Sequence, residues 1–326
     1  MYTDPYTPSV KHTHSISQHR QGFYRTRLAR YLRALMLIAC VGGLGQATQA
    51  AAANTVVEAV QLPAWVERQG QRSAAQPGQQ LRDNDKAITA DGARMLLRLQ
   101  DRSVIKLGEK TQLQIDAMAV RQPRGEPSSI TSSLRLVTGV FRYATDYTSK
   151  ALGYKRELNL QMATATLGIR GTDFWSMTDA EHDAVCVFDG SVAVVRDAKP
   201  EIVLDKPGAF WVVFTGQPEQ PAGQATPDQL AKFIGQAEMK QGSGILLQGG
   251  RWRTVAGVRT RVSEAVALRL RLQTAGYPAV MVSNNGRHEV RINQLATRED
   301  AEAVLARLQA NPEWGVTQGR VVWAAN

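Results

Sequence analysis

The sequence predicts a multidomain protein in which an all-β domain at 56–215 precedes an α+β domain at 251–326. Short runs of alternating apolar residues with turn residues between them fill the first region. A strand-plus-helix pattern occurs twice in the second region. Residues 216–250 are rich in proline and glycine, which predicts a flexible linker. One short helix is expected there, at about 228–240, entered through Thr226-Pro227.

The first 50 residues have the order of a secretory signal peptide with a long polar N-terminal region. Arginines precede the apolar run Ala34–Leu44, and small residues at 47–50 follow it. The run is short for a membrane anchor. Leu37–Cys40 resembles a lipoprotein cleavage site, so lipidation at Cys40 stays open as an alternative. Either route predicts export to the periplasm of a Gram-negative bacterium.

The positive charge of the exported chain is concentrated near its C-terminus. Residues 51–249 hold 22 basic and 22 acidic residues, whereas residues 250–326 hold 11 arginines and 6 acidic residues. Nucleic acid is not expected as a partner outside the cytoplasm. An envelope polymer is the better candidate, because guanidinium groups suit planar hydrogen bonding to it.

The all-β domain is predicted from period-two patterns such as Met95/Leu97/Leu99 and Leu134/Leu136. A hairpin is predicted at Asp189-Gly190, where Asp-Gly separates two apolar runs and glycine accepts a positive φ. Residues 121–130 are expected to form a loop.

The repeat predicts a βαββαβ unit of the ferredoxin-like or RNP-like kind. Its strands are expected at 252–256, 279–282, 289–293 and 320–323. The apolar residues spaced for one face of each helix are Ala265, Leu268 and Leu272 in the first copy and Ala301, Val304 and Leu308 in the second. Both helices should cover one face of the sheet and leave the other face open.

The open sheet face is the candidate binding site. Alternation from Val255 and Ile292, both assigned to the helix side, places Thr254 and Arg291 on the open side. The other candidates for this face are Trp252 and Glu289. Trp323 is expected in the core, and Trp252 is the candidate for stacking on a sugar ring.

The stretch 163–174, which contains Arg170-Gly171-Thr172-Asp173-Phe174, resembles the signature of FecR-type domains. Residues 136–141 resemble the family's strand with a glycine before an apolar pair. The motif is interpreted as structural: Gly171 permits a turn, and Arg170 and Asp173 are expected to pair across it. The resemblance implies a periplasmic sensing role, but residues 1–30 are too short for the cytoplasmic sigma-factor-binding domain of typical members.

The segments 288–295 and 297–301 resemble the second strand-helix passage of SPOR domains, which bind peptidoglycan glycan strands. The chain departs from that family at Thr254, Ala256, Glu289 and Asn293. These departures leave the expected fold intact and put the strength of glycan binding in question.

The sequence does not predict an enzyme, a metal site or a cofactor. After signal cleavage only His182 and His288 remain, in different domains, and Cys186 lies too far along its strand from His182 for a thiol–imidazole pair. Cys186 is interpreted as a core residue. The hypothesis is an envelope binding and scaffolding protein, with a glycan partner and an envelope protein partner. A sensor component of a FecR-type signalling pathway is the alternative.

Overall fold

The structure is a computed structural model of the chain. It describes residues 55–121, 129–146, 155–169 and 171–324. Ala53–Asn326 form one compact unit. The predicted signal peptide with Cys40, Arg170, and most of the loop predicted at 121–130 lie outside the described residues.

The region predicted as all-β consists of strands, as expected from its alternating pattern, and one further strand, β17 (Gly223–Gln224), follows it in the segment 216–250. In the described residues these strands are β1 (Thr55–Gln61), β2 (Ala64–Arg68), β3 (Gln71–Ala74), β4 (Gln80–Leu81), β5 (Lys86–Thr89), β6 (Arg94–Leu99), β7 (Val104–Leu107), β8 (Gln112–Arg121), β9 (Ser129–Ala144), β10 (Lys155–Gln161), β11 (Thr166–Ile169), β12 (Asp173–Thr178), β13 (His182–Asp189), β14 (Val192–Val195), β15 (Ile202–Leu204), β16 (Ala209–Phe214) and β17 (Gly223–Gln224).

The strands form two sheets that share the long strand β9. The first sheet has the order β17-β16-β13-β12-β9-β7-β6-β1, and the second has the order β3-β2-β5-β8-β9-β10-β11-β14-β15. Neighbouring strands are antiparallel, except that β9 and β10 are parallel. Apolar side chains from both sheets fill the space between them.

A glycine sits where β9 passes from one sheet to the other. Residues before Gly139 pair with β8 and β10, and residues from Gly139 onward pair with β12. Gly139 has φ +97°, and a Cβ there would lie 2.3 Å from Thr111 Oγ1. The Thr111 hydroxyl accepts a hydrogen bond from the amide of Val140 at 2.9 Å. The bend that joins the sheets therefore requires a residue without a side chain.

Strand β13 is buried on both faces. Val185 and Val187 belong to the core between the sheets, whereas Ala184 and Cys186 belong to a second apolar cluster on the outer side. Helix α1 (Pro227–Ala237) contributes residues to that second cluster. The interpretation of Cys186 as a core residue is confirmed, since its side chain is fully buried.

The segment predicted to be a flexible linker is ordered. It contains β17, α1 and the short strand β18 (Ile245–Leu247). The predicted helix is confirmed: Thr226 caps it in a capping box with Gln229, and Pro227 occupies its first turn. Regular structure also follows the helix in this segment, because β18 pairs antiparallel with β1 over three residues.

Three carboxylates fasten this segment. Glu219 accepts hydrogen bonds from Lys199 and Trp211 of the all-β region. Glu238, directly after α1, forms ion pairs with the all-β region. The segment's other end is held by Asp300, which is fully buried and accepts hydrogen bonds from the amides of residues 244 and 245 at 2.9 and 3.0 Å.

The C-terminal part has the predicted βαββαβ order. Its elements are β19 (Trp252–Arg259), α2 (Val262–Thr274), β20 (Val280–Asn284), β21 (Arg287–Leu295), α3 (Arg298–Gln309), the 3₁₀ helix Pro312–Trp314 and β22 (Arg320–Trp323). The sheet is antiparallel with the order β20-β21-β19-β22. The six residues predicted to face the sheet from the helices are all fully buried.

The two parts share one apolar core and several polar contacts. Leu246 of β18 also pairs with Leu295 of β21, so the bridging strand touches both sheets. Trp65 donates a hydrogen bond from Nε1 to the carbonyl of Thr274 at 3.0 Å. Arg307 of α3 donates to the carbonyl of Leu62. The all-β region and the βαββαβ unit are thus joined by backbone pairing, packing and hydrogen bonds.

Replacing Asp300 with alanine should destabilise the whole unit by about 3 kcal/mol, because the amides of buried Gly244 and partly buried Ile245 lose their acceptor. The free energy of unfolding, measured by urea denaturation, should fall in a single transition. Glu302→Ala, an exposed acid on the same helix, is the control and should change little. Two separate transitions in the wild-type chain would contradict the fused architecture.

Stability should also depend on Glu219 in acid. The hydrogen bond from Lys199, together with those from Trp211 and Arg196, lowers the pKa of Glu219 to about 2 from the ordinary 4.5. Folding therefore favours the carboxylate, so its contribution is complete above pH 4.5 and is lost as the pH falls towards 2. Glu219→Gln should flatten the stability-versus-pH curve in that window, and the same change at exposed Glu201 should not.

Candidate functional site

The open face is the face of the C-terminal sheet opposite α2 and α3. Val290 and Ile292 of β21 are fully buried on the helix side, so alternation places Glu289 and Arg291 on the open face. Both predicted positions are therefore found there. Residues directly opposite in antiparallel strands share a face, which adds Val258 beside Glu289.

A cavity of about 590 Å³ lies on the open face. Its lining residues come from all four strands of the sheet and from the β20–β21 turn. They are Val258, Val282, Asn284, Asn285, Arg287, Glu289, Arg291 and Arg320. The lining therefore combines apolar side chains, amides and charged groups, with three arginines and one glutamate.

Glu289 is held between two arginines. Its carboxylate lies 3.3 Å from Arg291 Nη1 and 2.7 Å from Arg320 Nη2. Arg320 is about half exposed, whereas the Glu289 and Arg291 side chains are mostly buried. In the described residues, Arg291 Nε has no hydrogen-bond partner. Glu289 therefore binds one nitrogen of each guanidinium group. Each group has further N–H donors that can bind a ligand.

Valines give the open face an apolar part. Val258 and Val282 line the cavity, whereas Val255, opposite Arg291 and Arg320 in the two ladders, is fully buried and offers no surface to a ligand. Val282 beside Glu289 is 38% exposed. Apolar surface beside fixed guanidinium donors matches a sugar ring, which presents C–H groups on its faces and hydroxyl groups at its rim.

Thr254 is not on the open face, so that prediction is wrong. It pairs with Ile292, is fully buried, and donates a hydrogen bond to the carbonyl of Ala301 on α3 at 2.8 Å. Bulges flank the Thr254–Val255 pair in the ladder between β19 and β21, with the extra residue in β21 on one side of the pair and in β19 on the other. Val255, predicted on the helix side, takes the open side instead.

Trp252, also predicted on the open face, lies on the helix side like Thr254. It is two residues away in a regular ladder with β22, and its ring packs against the main apolar core. Trp323 opposite it meets its ring edge-on at a centroid distance of 5.0 Å. Trp323 is 49% exposed, so its expected core position is also wrong. Neither tryptophan lines the cavity next to Arg291.

Sequence reasoning missed Arg320, Arg287 and the two asparagines of the β20–β21 turn. Arg320 is far from Glu289 along the chain and meets it only because β22 adds to the edge of β19. The Asn285-Gly286 pair between two predicted strands was the available signal for a tight turn at the rim of this face.

Residues of the FecR-like motif connect neighbouring parts of the first sheet through hydrogen bonds. Thr172 accepts a hydrogen bond from the amide of Ser191 and donates to its carbonyl at 2.9 Å. Asp173 binds the guanidinium group of Arg142 through both carboxylate oxygens, at 3.0 and 2.9 Å. The pairing of Asp173 with Arg170 predicted from sequence lies outside the described residues.

The Asp189-Gly190 turn is not a hairpin. Strand β13 pairs with β12 and β16 in the first sheet, and β14 pairs with β11 and β15 in the second. The chain therefore changes sheets at this turn. Gly190 has the predicted positive φ, +86°, and packs against the motif: a Cβ there would lie 2.9 Å from the Gly171 carbonyl.

The two histidines have structural environments. His182 lies 3.0 Å from Asp179 and stacks on Phe214. His288 contacts the hydroxyl of Ser283 through Nδ1 at 2.7 Å. Among the described residues, no group of three or more histidine, cysteine or acidic side chains is arranged to hold a metal ion.

Family models match both parts of the chain in the order in which they occur. The model described as FecR protein matches residues 85–193, and the SPOR domain model matches residues 250–313. The chain carries a FecR domain followed by a SPOR domain. Both are envelope-associated domain types with binding or regulatory roles. In the part of the chain that the structure describes, no helix has the length and apolar character that a membrane span needs.

The search of curated proteins found no match. Among solved structures, two crystal structures of a proposed anti-sigma factor from Parabacteroides distasonis ATCC 8503 are similar to the chain. The 1.65 Å structure is 16% identical with a TM-score of 0.34, and the match covers 46% of this chain and 64% of the other. The 2.50 Å structure is 14% identical with a TM-score of 0.35, covering 69% and 90%.

Gly190→Ala should test the contact between the sheet-changing turn and the motif. The expected cost is about 3 kcal/mol, since a left-handed φ and a close approach to Gly171 both oppose a side chain. Gly70→Ala is the matched control: its φ is +76° with open space around it, so only about 1 kcal/mol is expected. Equal losses in urea denaturation would mean that the contact is unimportant.

Proposed function

We propose that this chain is an exported, non-enzymatic envelope protein. Its SPOR domain binds peptidoglycan glycan strands through the open face, and its FecR domain binds a protein partner. The observation that carries the proposal is the basic cavity on the one sheet face that both helices leave uncovered. The family matches support the two binding roles, since SPOR domains bind peptidoglycan and FecR domains take part in protein interactions.

Binding at the open face would use the guanidinium groups as hydrogen-bond donors. Arg291 and Arg320 can donate to hydroxyl groups, acetamido carbonyls or lactyl carboxylates of the glycan. Val258 and Val282 lie opposite Glu289 on the two neighbouring strands and suit the apolar face of a sugar ring. Glu289 competes for both arginines and so weakens the site, because an incoming acceptor must replace its carboxylate.

We place the protein in the periplasm on the basis of the signal-like order of residues 25–50, with lipidation at Cys40 as the alternative maturation route. Both routes leave the FecR and SPOR domains on the same side of the inner membrane as peptidoglycan.

A sensor role in a FecR-type signalling pathway is the second candidate function. The FecR match at 85–193 favours it, because it covers the motif and most of the strands of the all-β region. A sigma-factor gene and a receptor gene beside this one would support signalling, whereas neighbours that act on the cell wall would support the scaffolding role.

Arg291→Ala should lower the affinity for glycan strands at least tenfold, which is about 1.4 kcal/mol. Glu289→Gln should raise it, because both arginines are released from their partner. The measurement is co-sedimentation of the full chain with peptidoglycan stripped of stem peptides. Arg261→Ala removes the same charge at the exposed start of α2 and is the matched control.

Equal losses for Arg291→Ala and Arg261→Ala would indicate non-specific attraction between charges. No retention of the wild-type chain would overturn glycan binding and favour a protein ligand for the open face. Circular dichroism of each variant checks that it is folded, because the Glu289 and Arg291 side chains are only 22% exposed.

A further inference from the structure

Helix α1 lies on an apolar groove of the first sheet that is separate from the main core. The groove and the helix form their own cluster, made of residues that the main core does not include. Its buried members are Val140, Trp175, Ala184, Cys186, Ala225, Phe233 and Ala237. The contact is therefore a small interface of its own, comparable to a helix bound in a groove.

The groove holds one aromatic anchor of the helix. Phe233 of α1 stacks on Trp175 of β12, with ring centroids 4.1 Å apart and an interplanar angle of 16°. Phe210 of β16 also stacks on Phe233, with a centroid distance of 5.6 Å and an interplanar angle of 16°. Two stacked aromatic contacts give both affinity and a defined position to the side chain that makes them.

Two basic residues, Arg142 and Lys106, lie at the end of the groove. Glu238, directly after α1, accepts a hydrogen bond from Arg142 at 2.8 Å and forms an ion pair with Lys106. Arg142 is oriented by the bidentate contact with Asp173 of the FecR motif, and it lies over the ring of Phe188. Asp173 of the motif thus holds the Arg142 guanidinium group in position to bind the Glu238 carboxylate.

Helix α1 needs little of the sheet for its own integrity. Its capping box is local, between Thr226 and Gln229. In the helix, Phe233 and Ala237 are the buried residues, whereas Ile234 is 36% exposed. Few anchors mean that the helix can leave the groove at a lower free-energy cost than global unfolding.

We propose that the groove beneath α1 is the protein-binding site of the FecR domain. Helix α1 fills it as an intramolecular latch, and an amphipathic helix of a partner protein replaces α1. The partner helix carries an aromatic anchor and, five residues later, an acid, as α1 does with Phe233 and Glu238. The proposal rests on the protein-binding half of the proposed function and is independent of peptidoglycan.

Cys186 is a built-in reporter for this opening. It lies in the groove cluster, is fully buried, and burial raises the pKa of its thiol to about 12. It should therefore react with a thiol reagent only when α1 leaves. In the full chain with Cys40→Ser, Cys186 is the one remaining cysteine, so labelling has a single source.

Phe233→Ala should raise the labelling rate of Cys186 at least tenfold in the absence of denaturant, and Ile234→Ala should leave it unchanged. Glu238→Gln should also raise it, and it serves as the test variant if Phe233→Ala does not fold. A synthetic peptide with the sequence of residues 226–240 should protect Cys186 in the Phe233→Ala variant, and the same peptide with Phe233→Ala should not.

Global unfolding of each variant is measured by circular dichroism. If the labelling rate of Cys186 rises only when the whole protein unfolds, the latch proposal is wrong. Failure of the wild-type peptide to protect Cys186 would show that the groove does not bind a helix supplied by another molecule. Neither outcome bears on co-sedimentation with peptidoglycan, so the two proposals can fail separately.

Discussion

The short strand β18 is the element on which the rest of the structure depends. It pairs with β1 of the all-β region and touches β21 of the C-terminal sheet, so one backbone segment joins both. The first amide of the strand, that of Ile245, donates a hydrogen bond to the buried carboxylate of Asp300. Because buried amides must be satisfied, this small contact orders a segment whose composition alone favours flexibility. The FecR and SPOR domains are consequently one folded unit.

The way in which the two domains are joined determines which sheet faces are covered and which are exposed. The helices α2 and α3 cover one face of the SPOR sheet, which leaves the arginine-rich open face for a ligand. The segment that leads to β18 also places α1 on the outer face of the FecR sheet. One connecting segment therefore fixes the position of the SPOR domain and covers the aromatic groove of the FecR domain. The FecR motif contributes by orienting Arg142 towards that segment.

The sequence predicts local features well and long-range ones poorly. Helices and their buried residues follow from apolar spacing, and the position of Arg291 follows from alternation beside Ile292. The prediction for Thr254 is wrong because the bulges in the ladder between β19 and β21 are not encoded in a period-two pattern. The turn at Gly190 has the expected φ, yet its flanking strands join different sheets, which only distant pairing partners decide. For the same reason Arg320 was missed.

The central claim is that the open face of the SPOR sheet binds glycan, and a titration followed by nuclear magnetic resonance tests it most directly. Soluble glycan oligosaccharides without stem peptides are added to the full chain while the arginine Nε–H signals are recorded. The account predicts shifts for Arg291 and Arg320, which line the cavity, and none for Arg261 and Arg298 on the helices. Shifts confined to the helix arginines, or no shifts at all, would contradict it.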